Sequence, residues 1–274
     1  MVPVSTLIYM FITLILSTFF PLLMLVLLWL KYGKGVFKPW IAGAIGFFVP
    51  QVIIRIPALQ FLGRLPGFGK FVENNTYLYM ILLALTAALF ETAGRLIVFR
   101  IPLKNDLSYA CSISAGAGHG GIESIILVGM TYINNIVYSF MINTGTLSLI
   151  IKDADMRDEL VRAITGTQNT LFLLAGFERI FTMVFHVFLS VLMVMFIIKG
   201  KTVIGTLIVI LLHGGTDFIV VWMQYQGYQP IAVEGFILVI ALVSFAAVLL
   251  LRKAFGPDKG FSEDPAEAAV REGY

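Results

Sequence analysis

Residues 1–31 read MVPVSTLIYMFITLILSTFFPLLMLVLLWLK, and this stretch decides the fold. Between Pro3 and Lys31 it carries no charged side chain. A helix needs about 20 consecutive apolar residues to cross a bilayer, whereas a barrel strand alternates apolar and polar over about ten. The run has no basic segment ahead of it and far exceeds the apolar core of a signal peptide, so it reads as a retained first helix. Similar runs follow, giving spans at roughly 4–30, 39–62, 77–99, 107–130, 170–198, 202–224 and 230–251. The pattern predicts an all-α, polytopic membrane helix bundle of about seven transmembrane helices over residues 1–252, followed by a mobile polar tail, 253–274.

Composition agrees. Hydrophobic residues are 59% of the 274 and charged residues 13%, about half the charged share of a soluble domain, roughly 25%. So few charges cannot cover a soluble globule. That excludes a soluble enzyme, a disordered chain and a nucleic-acid-binding module; the net charge of +3 gives no electrostatic footprint for nucleic acid. The single cysteine, Cys111, excludes an internal disulfide. The long connection at 131–169 holds NNIVYSFMINTG, read as a continuation of the fourth helix or a re-entrant piece, and KDADMRDELVRAI, which suits a surface helix. Lys31, Lys34, Lys38, Arg100, Lys104, Lys199, Lys201, Arg252, Lys253, Lys259 and Arg271 fall on one side, eleven against the five of Arg64, Lys70, Lys152, Arg157 and Arg162. Positive-inside then puts the N-terminus outside and the C-terminus in the cytosol; the expected location is a plasma membrane of bacterial type.

Against this background stand Arg55, Glu91, Arg95, His119, Glu123, Glu178, Arg179, His186, His213 and Asp217, all inside spans. Each would cost about 2.5–3.5 kcal/mol if it faced lipid at mid-bilayer, so they are expected to face one another and water in an interior cavity. Counted from the basic ends of their spans, His119 and His186 lie 12 residues in and His213 lies 11. That places all three at about 17–18 Å, in one plane. His119-Gly-Gly-Ile-Glu123 and His213-Gly-Gly-Thr-Asp217 each set an acid one turn after a histidine, where a carboxylate can fix an imidazole tautomer. Glu91 falls about a turn below the plane, with Arg95 at i+4 as its expected partner. Glu178 lies two turns outward of His186. Since adjacent helical residues do not face each other, Glu178 and Arg179 are each expected to find another partner, and Arg55 is expected as counter-charge to one of the acids. Three histidines, His119, His186 and His213, could form an open metal site; equally, a glutamate and a histidine could activate water without a metal. Spacing alone leaves the cofactor open between none and a divalent metal such as zinc.

The motifs Phe90-Glu91-Thr92-Ala93-Gly94-Arg95, Gly118-His119-Gly120-Gly121-Ile122-Glu123, Phe177-Glu178-Arg179 with His186, and His213-Gly-Gly-Thr-Asp217 together resemble the YhfC family, itself similar to the CAAX protease and PrsW-like membrane proteases. Glu91 and Arg95 match the acidic helix ending in a basic residue, His186 the later histidine, His213 with Asp217 the last motif, and Glu123 an additional acidic motif. Position 90 is Phe where the first motif carries a second glutamate. The resemblance implies an intramembrane endopeptidase acting on a membrane protein or lipidated peptide. Glu91 would be its general base with Glu123 as alternate, and His186 and His213 would position water or bind the oxyanion. Arg95, His119, Glu178, Arg179 and Asp217 would support them, with water entering from the cytosolic side. Two rival readings are a transporter or channel lined by the same residues, and a non-enzymatic scaffold or sensor on the protease fold.

Overall fold

The structure, a computed structural model, describes residues 1–256. Seven helices among them are long and apolar enough to cross a membrane: α1 Val4–Tyr32, α2 Lys34–Gly63, α3 Thr76–Arg100, α4 Tyr109–Thr144, α5 Asn169–Ile198, α6 Thr202–Tyr225 and α7 Pro230–Phe255. No strand occurs among the described residues. The predicted tail lies outside them from 257 onward; residues 253–255 of it belong to the 3₁₀ turn Arg252–Phe255, which continues α7 and sets Phe255 edge-on to Tyr109. NNIVYSFMINTG continues α4, which ends at Gly145 in the left-handed conformation glycine tolerates best. KDADMRDELVRAI gives a surface helix, Ala154–Gly166, whose N-terminus Asp153 caps by accepting from the Met156 N–H at 2.9 Å.

Contacts between helix termini define the two ends of the bundle. At one end Tyr109 of α4 donates to the Val248 carbonyl of α7, and Arg100 of α3 bonds Thr202 of α6. At the other, Val2 bonds Asn143 of α4, Thr6 of α1 meets Asn169 of α5, and Gln226 after α6 donates to Tyr77 of α3. The first end carries the lysine- and arginine-rich connections and is called the basic end below.

The most buried of the seven helices is α5, packed against α1, α4, α6 and α7. α4 is sandwiched between α2 and α5 although it is poor in large apolar residues. Its first half, YACSISAGAGHGGIE, is almost wholly buried because its small side chains let backbones approach. A Cβ on Gly118 would collide with the Trp40 carbonyl of α2, and one on Gly116 would lie 2.6 Å from the Val187 Cα of α5. The α4 glycines are therefore consumed by helix packing.

Two helices widen into π-helical turns: α2 over Phe48–Arg55 and α4 over Ser124–Gly129. In α2, Pro50 lacks the N–H that would bond the Gly46 carbonyl four residues earlier. Gly94 of α3 crosses that carbonyl so closely that a Cβ there would overlap it. Each π turn follows or contains polar residues, Gln51 and Arg55 in α2 and Glu123 just before the turn in α4, and re-aims what comes after it.

Candidate active site

Five helices deliver the cluster. Glu91 and Arg95 come from α3, His119 and Glu123 from α4, Glu178, Arg179 and His186 from α5, His213 and Asp217 from α6, and α2 adds Gln51 and Arg55. The three histidines meet at one place. Ring centroids are 5.1 Å apart for His119 and His186, and 5.2 Å for His186 and His213. All three rings are buried, with Phe47 edge-on to His119 and Phe185 near His213.

Their common focus is one atom. Glu91 Oε2 lies 3.1 Å from His119 Nε2, 3.6 Å from His213 Nε2 and 3.8 Å from His186 Nδ1. Glu91 therefore sits at the histidine level, not a turn below it. Its other oxygen, Oε1, accepts from Gln51 Nε2 at 2.6 Å. Arg55 Nη1 donates to Gln51 Oε1 at 3.2 Å, with Nε on Thr86 and Nη2 on the Leu83 carbonyl. Guanidinium groups only donate, so the amide orientation is fixed: oxygen toward Arg55, NH₂ toward Glu91. Arg55 thus reaches an acid through an amide rather than by the direct ion pair expected of it. Gln51 was not legible as a site residue, though a glutamine in an apolar span one turn before an arginine was its available signal.

Arg95 departs from expectation. Its Nη2 bonds His186 Nδ1 at 3.1 Å and its Nε donates to Ser190 Oγ at 3.1 Å, in place of the ion pair with Glu91. Because arginine donates, Nδ1 accepts and the ring proton of His186 sits on Nε2. That nitrogen lies 2.8 Å from Glu123 Oε2. Glu123 thus approaches His186 across the helix interface, and not His119 on its own helix. Glu123 Oε1 is 3.2 Å from Arg179 Nη1, and Arg179 also pairs with its neighbour Glu178. The adjacent pair does meet, because the long arginine side chain bends back over the turn. Asp217 Oδ2 stands 3.5 Å from His213 Nε2, as its spacing predicts.

A cavity of about 290 Å³ adjoins the cluster, lined by Gln51, Arg55, Glu91, Glu123, Glu178, Arg179, His186, His213 and Asp217 with an apolar wall that includes Leu83, Leu127 and Ile237. His119 and Arg95 stand behind this wall, in tight packing. Among the described residues, the group whose ligand atoms converge within 4.8 Å is Glu91, His186 and His213. A carboxylate thus occupies the place that the three-histidine expectation gave to His119.

The cavity extends away from the basic end, the end from which the sequence reading has water enter. On the basic side of the histidines, Phe99, Leu103, Cys111, Leu189, Met193 and Val194 form a continuous buried core. These side chains are nearly without solvent exposure, a property of packing that counting depth along helices does not register.

A family model described as YhfC intramembrane metalloprotease matches residues 16–238. The uncharacterized membrane protein YhfC of Bacillus subtilis (strain 168) is 29% identical over 229 residues, 82% of this chain and 88% of its own length. No solved structure matches the chain. The matched stretch runs from α1 into α7 and contains every ionisable residue of the cluster. This integral membrane protein belongs to the YhfC intramembrane metalloprotease family.

Proposed function

We propose that the protein hydrolyses a peptide bond of a membrane-associated polypeptide within the bilayer, using a divalent metal such as zinc held by Glu91, His186 and His213. The observation that carries this reading is the convergence of three buried ligand atoms from three helices within 4.8 Å, beside a polar cavity. Two imidazoles and one carboxylate are a donor set of catalytic zinc sites, and donors around a tetrahedral zinc lie about 3.4 Å apart. The 3.6 and 3.8 Å separations from Glu91 Oε2 to the two imidazoles approach that spacing. When bound, the ion supplies Lewis acidity for activating water and polarising the peptide carbonyl.

The remaining steps belong to the chain itself. Glu123 lines the cavity, and its carboxylate accepts the proton of the attacking water. Arg179, shared with Glu178, pairs with Glu123 Oε1 and fixes its rotamer. Gln51 holds Glu91 Oε1, which leaves Oε2 aimed at the imidazoles. His119 fixes Oε2 from behind. Asp217 stands against His213 Nε2 where the cavity opens beside that ring. The apolar wall limits bulk water, so each of these interactions acts in a medium of low dielectric constant.

One contact favours a second reading, in which Glu91 is itself the general base and no metal takes part. Arg95 Nη2 occupies the His186 Nδ1 lone pair that faces Glu91, so binding a cation through Nδ1 requires that hydrogen bond to open. Cleavage by purified, reconstituted protein distinguishes the two. Candidate membrane peptides are incubated and products read by mass spectrometry, before and after treatment with a zinc chelator. The metal reading expects cleavage that the chelator abolishes and added zinc restores. Chelator-resistant cleavage selects the metal-free base, and flux of an intact solute without peptide products would overturn both.

A further inference from the structure

We propose that the substrate reaches the Glu91 cluster from the non-cytosolic side, as the outer-leaflet segment of a membrane-anchored polypeptide rather than as a lipidated cytosolic peptide. The proposal rests on the protease reading for the nature of the substrate, and on geometry alone for the side of access.

Three observations carry it. The first is the seal: between the histidines and the basic end lie Phe99, Leu103, Cys111, Leu189 and Met193, all essentially without solvent exposure. Arg95 and Ser190 are closed in the same layer. The second is the gradient of exposure in the other direction. Side-chain exposure is 4–5% at Glu91, His186 and His213, 13% at Glu123, 28% at Glu178 and 34% at Asp217. Every other residue lining the cavity also lies at the histidine level or beyond it, toward the ends marked by Gly63, Thr76, Thr144, Asn169, Tyr225 and Pro230. The third is charge. Among the described residues, the basic end carries Lys31, Lys34, Lys38, Arg100, Lys104, Lys199, Lys201, Arg252 and Lys253, nine against the five at the opposite end, Arg64, Lys70, Lys152, Arg157 and Arg162. A basic excess in short connections marks the cytosolic side, so the open end of the cavity faces outward.

A peptide bond cut there lies in the outer half of the bilayer. The reaction is hydrolysis by one water: the C–N bond breaks, the hydroxyl joins the carbonyl carbon and the proton joins the leaving amine. Of the two products, the part beyond the cut on the outer side is released outside, and the part on the other side stays in the membrane.

Access is tested by cysteine labelling, for which the chain is well suited because Cys111 is its single, buried cysteine. In a Cys111→Ala background, Thr182→Cys and Thr216→Cys report on the cavity, Asp158→Cys on the surface helix at the open end, and Lys201→Cys on the basic end. A charged, membrane-impermeant methanethiosulfonate is applied to intact cells and to inverted vesicles. The expected result is that Thr182→Cys, Thr216→Cys and Asp158→Cys react in intact cells, and Lys201→Cys only in inverted vesicles. The proposal is overturned if the cavity cysteines share the behaviour of Lys201→Cys, if they react from neither side, or if Lys201→Cys reacts in intact cells. Labelling requires no turnover. Adding Glu91→Gln leaves the pattern unchanged, so a failed cleavage assay and a failed access test are read separately.

Discussion

Glu91→Gln is expected to lower peptide cleavage by about 10³-fold or more while the protein inserts and purifies normally, since removing a catalytic acid, base or metal ligand forfeits effects of about 10²–10⁴-fold. The reason is the division of labour between the two carboxylate oxygens. Oε1 is engaged by Gln51, and Oε2 is the single atom that all three imidazoles approach. An amide at position 91 keeps the volume but removes the charge and places either a weak acceptor or an N–H at that focus. Gln51→Leu is the graded companion. It leaves Glu91 Oε1 and Arg55 Nη1 without their bonds but all the converging atoms in place, so the loss is expected at about 10–100-fold, the scale of outer-shell positioning partners. Initial rates on a reconstituted peptide check both. A Glu91→Gln variant with near wild-type rates would remove Glu91 from the mechanism.

The largest effect on folding is expected at Gly118. Gly118→Val puts a branched side chain where even a Cβ collides with the Trp40 carbonyl of α2. The collision is with backbone on both sides, so no rotamer relieves it and α2 must separate from α4. A destabilisation above about 4 kcal/mol is expected, the range reserved for gross steric conflict or lost networks. His119 follows Gly118 directly, so the site would be displaced with the helix. Gly215→Ala is the matched control, since nothing lies within 4 Å of a Cβ there; its effect is expected within about 0.5 kcal/mol. Thermal unfolding and monodisperse yield in detergent measure both variants. Normal stability of Gly118→Val would contradict the close α2–α4 crossing.

The sequence carries the number and placement of the spans because lipid demands long uninterrupted apolar runs, and residues 1–31 state that demand without a single interior charge. It also carries the meeting of His119, His186 and His213, because depth along a straight helix is a count. Pairing is different. Arg95 turns to His186 and not to Glu91, Glu123 reaches across to His186 and not to His119, and Arg179 folds back onto Glu178. Each choice depends on rotation about the helix axis and on side-chain reach, neither of which one-dimensional spacing fixes. The π turns in α2 and α4 add rotations that a uniform helical period does not contain, and Gln51 enters the site through one of them. The closed basic side likewise comes from how Phe99, Leu189 and Met193 interlock.

The most direct measurement of the central claim is metal content per chain in purified protein, taken with His186→Ala, His213→Ala and His119→Ala. With Glu91, His186 and His213 as the holding set, wild type should carry about one divalent ion per chain, as a mononuclear site does. His186→Ala and His213→Ala should lose it, and His119→Ala, which removes only the support behind Glu91, should retain much of it. Wild-type protein that takes up no divalent ion above background when supplied with zinc, or ion content unchanged in His186→Ala and His213→Ala, would contradict the account.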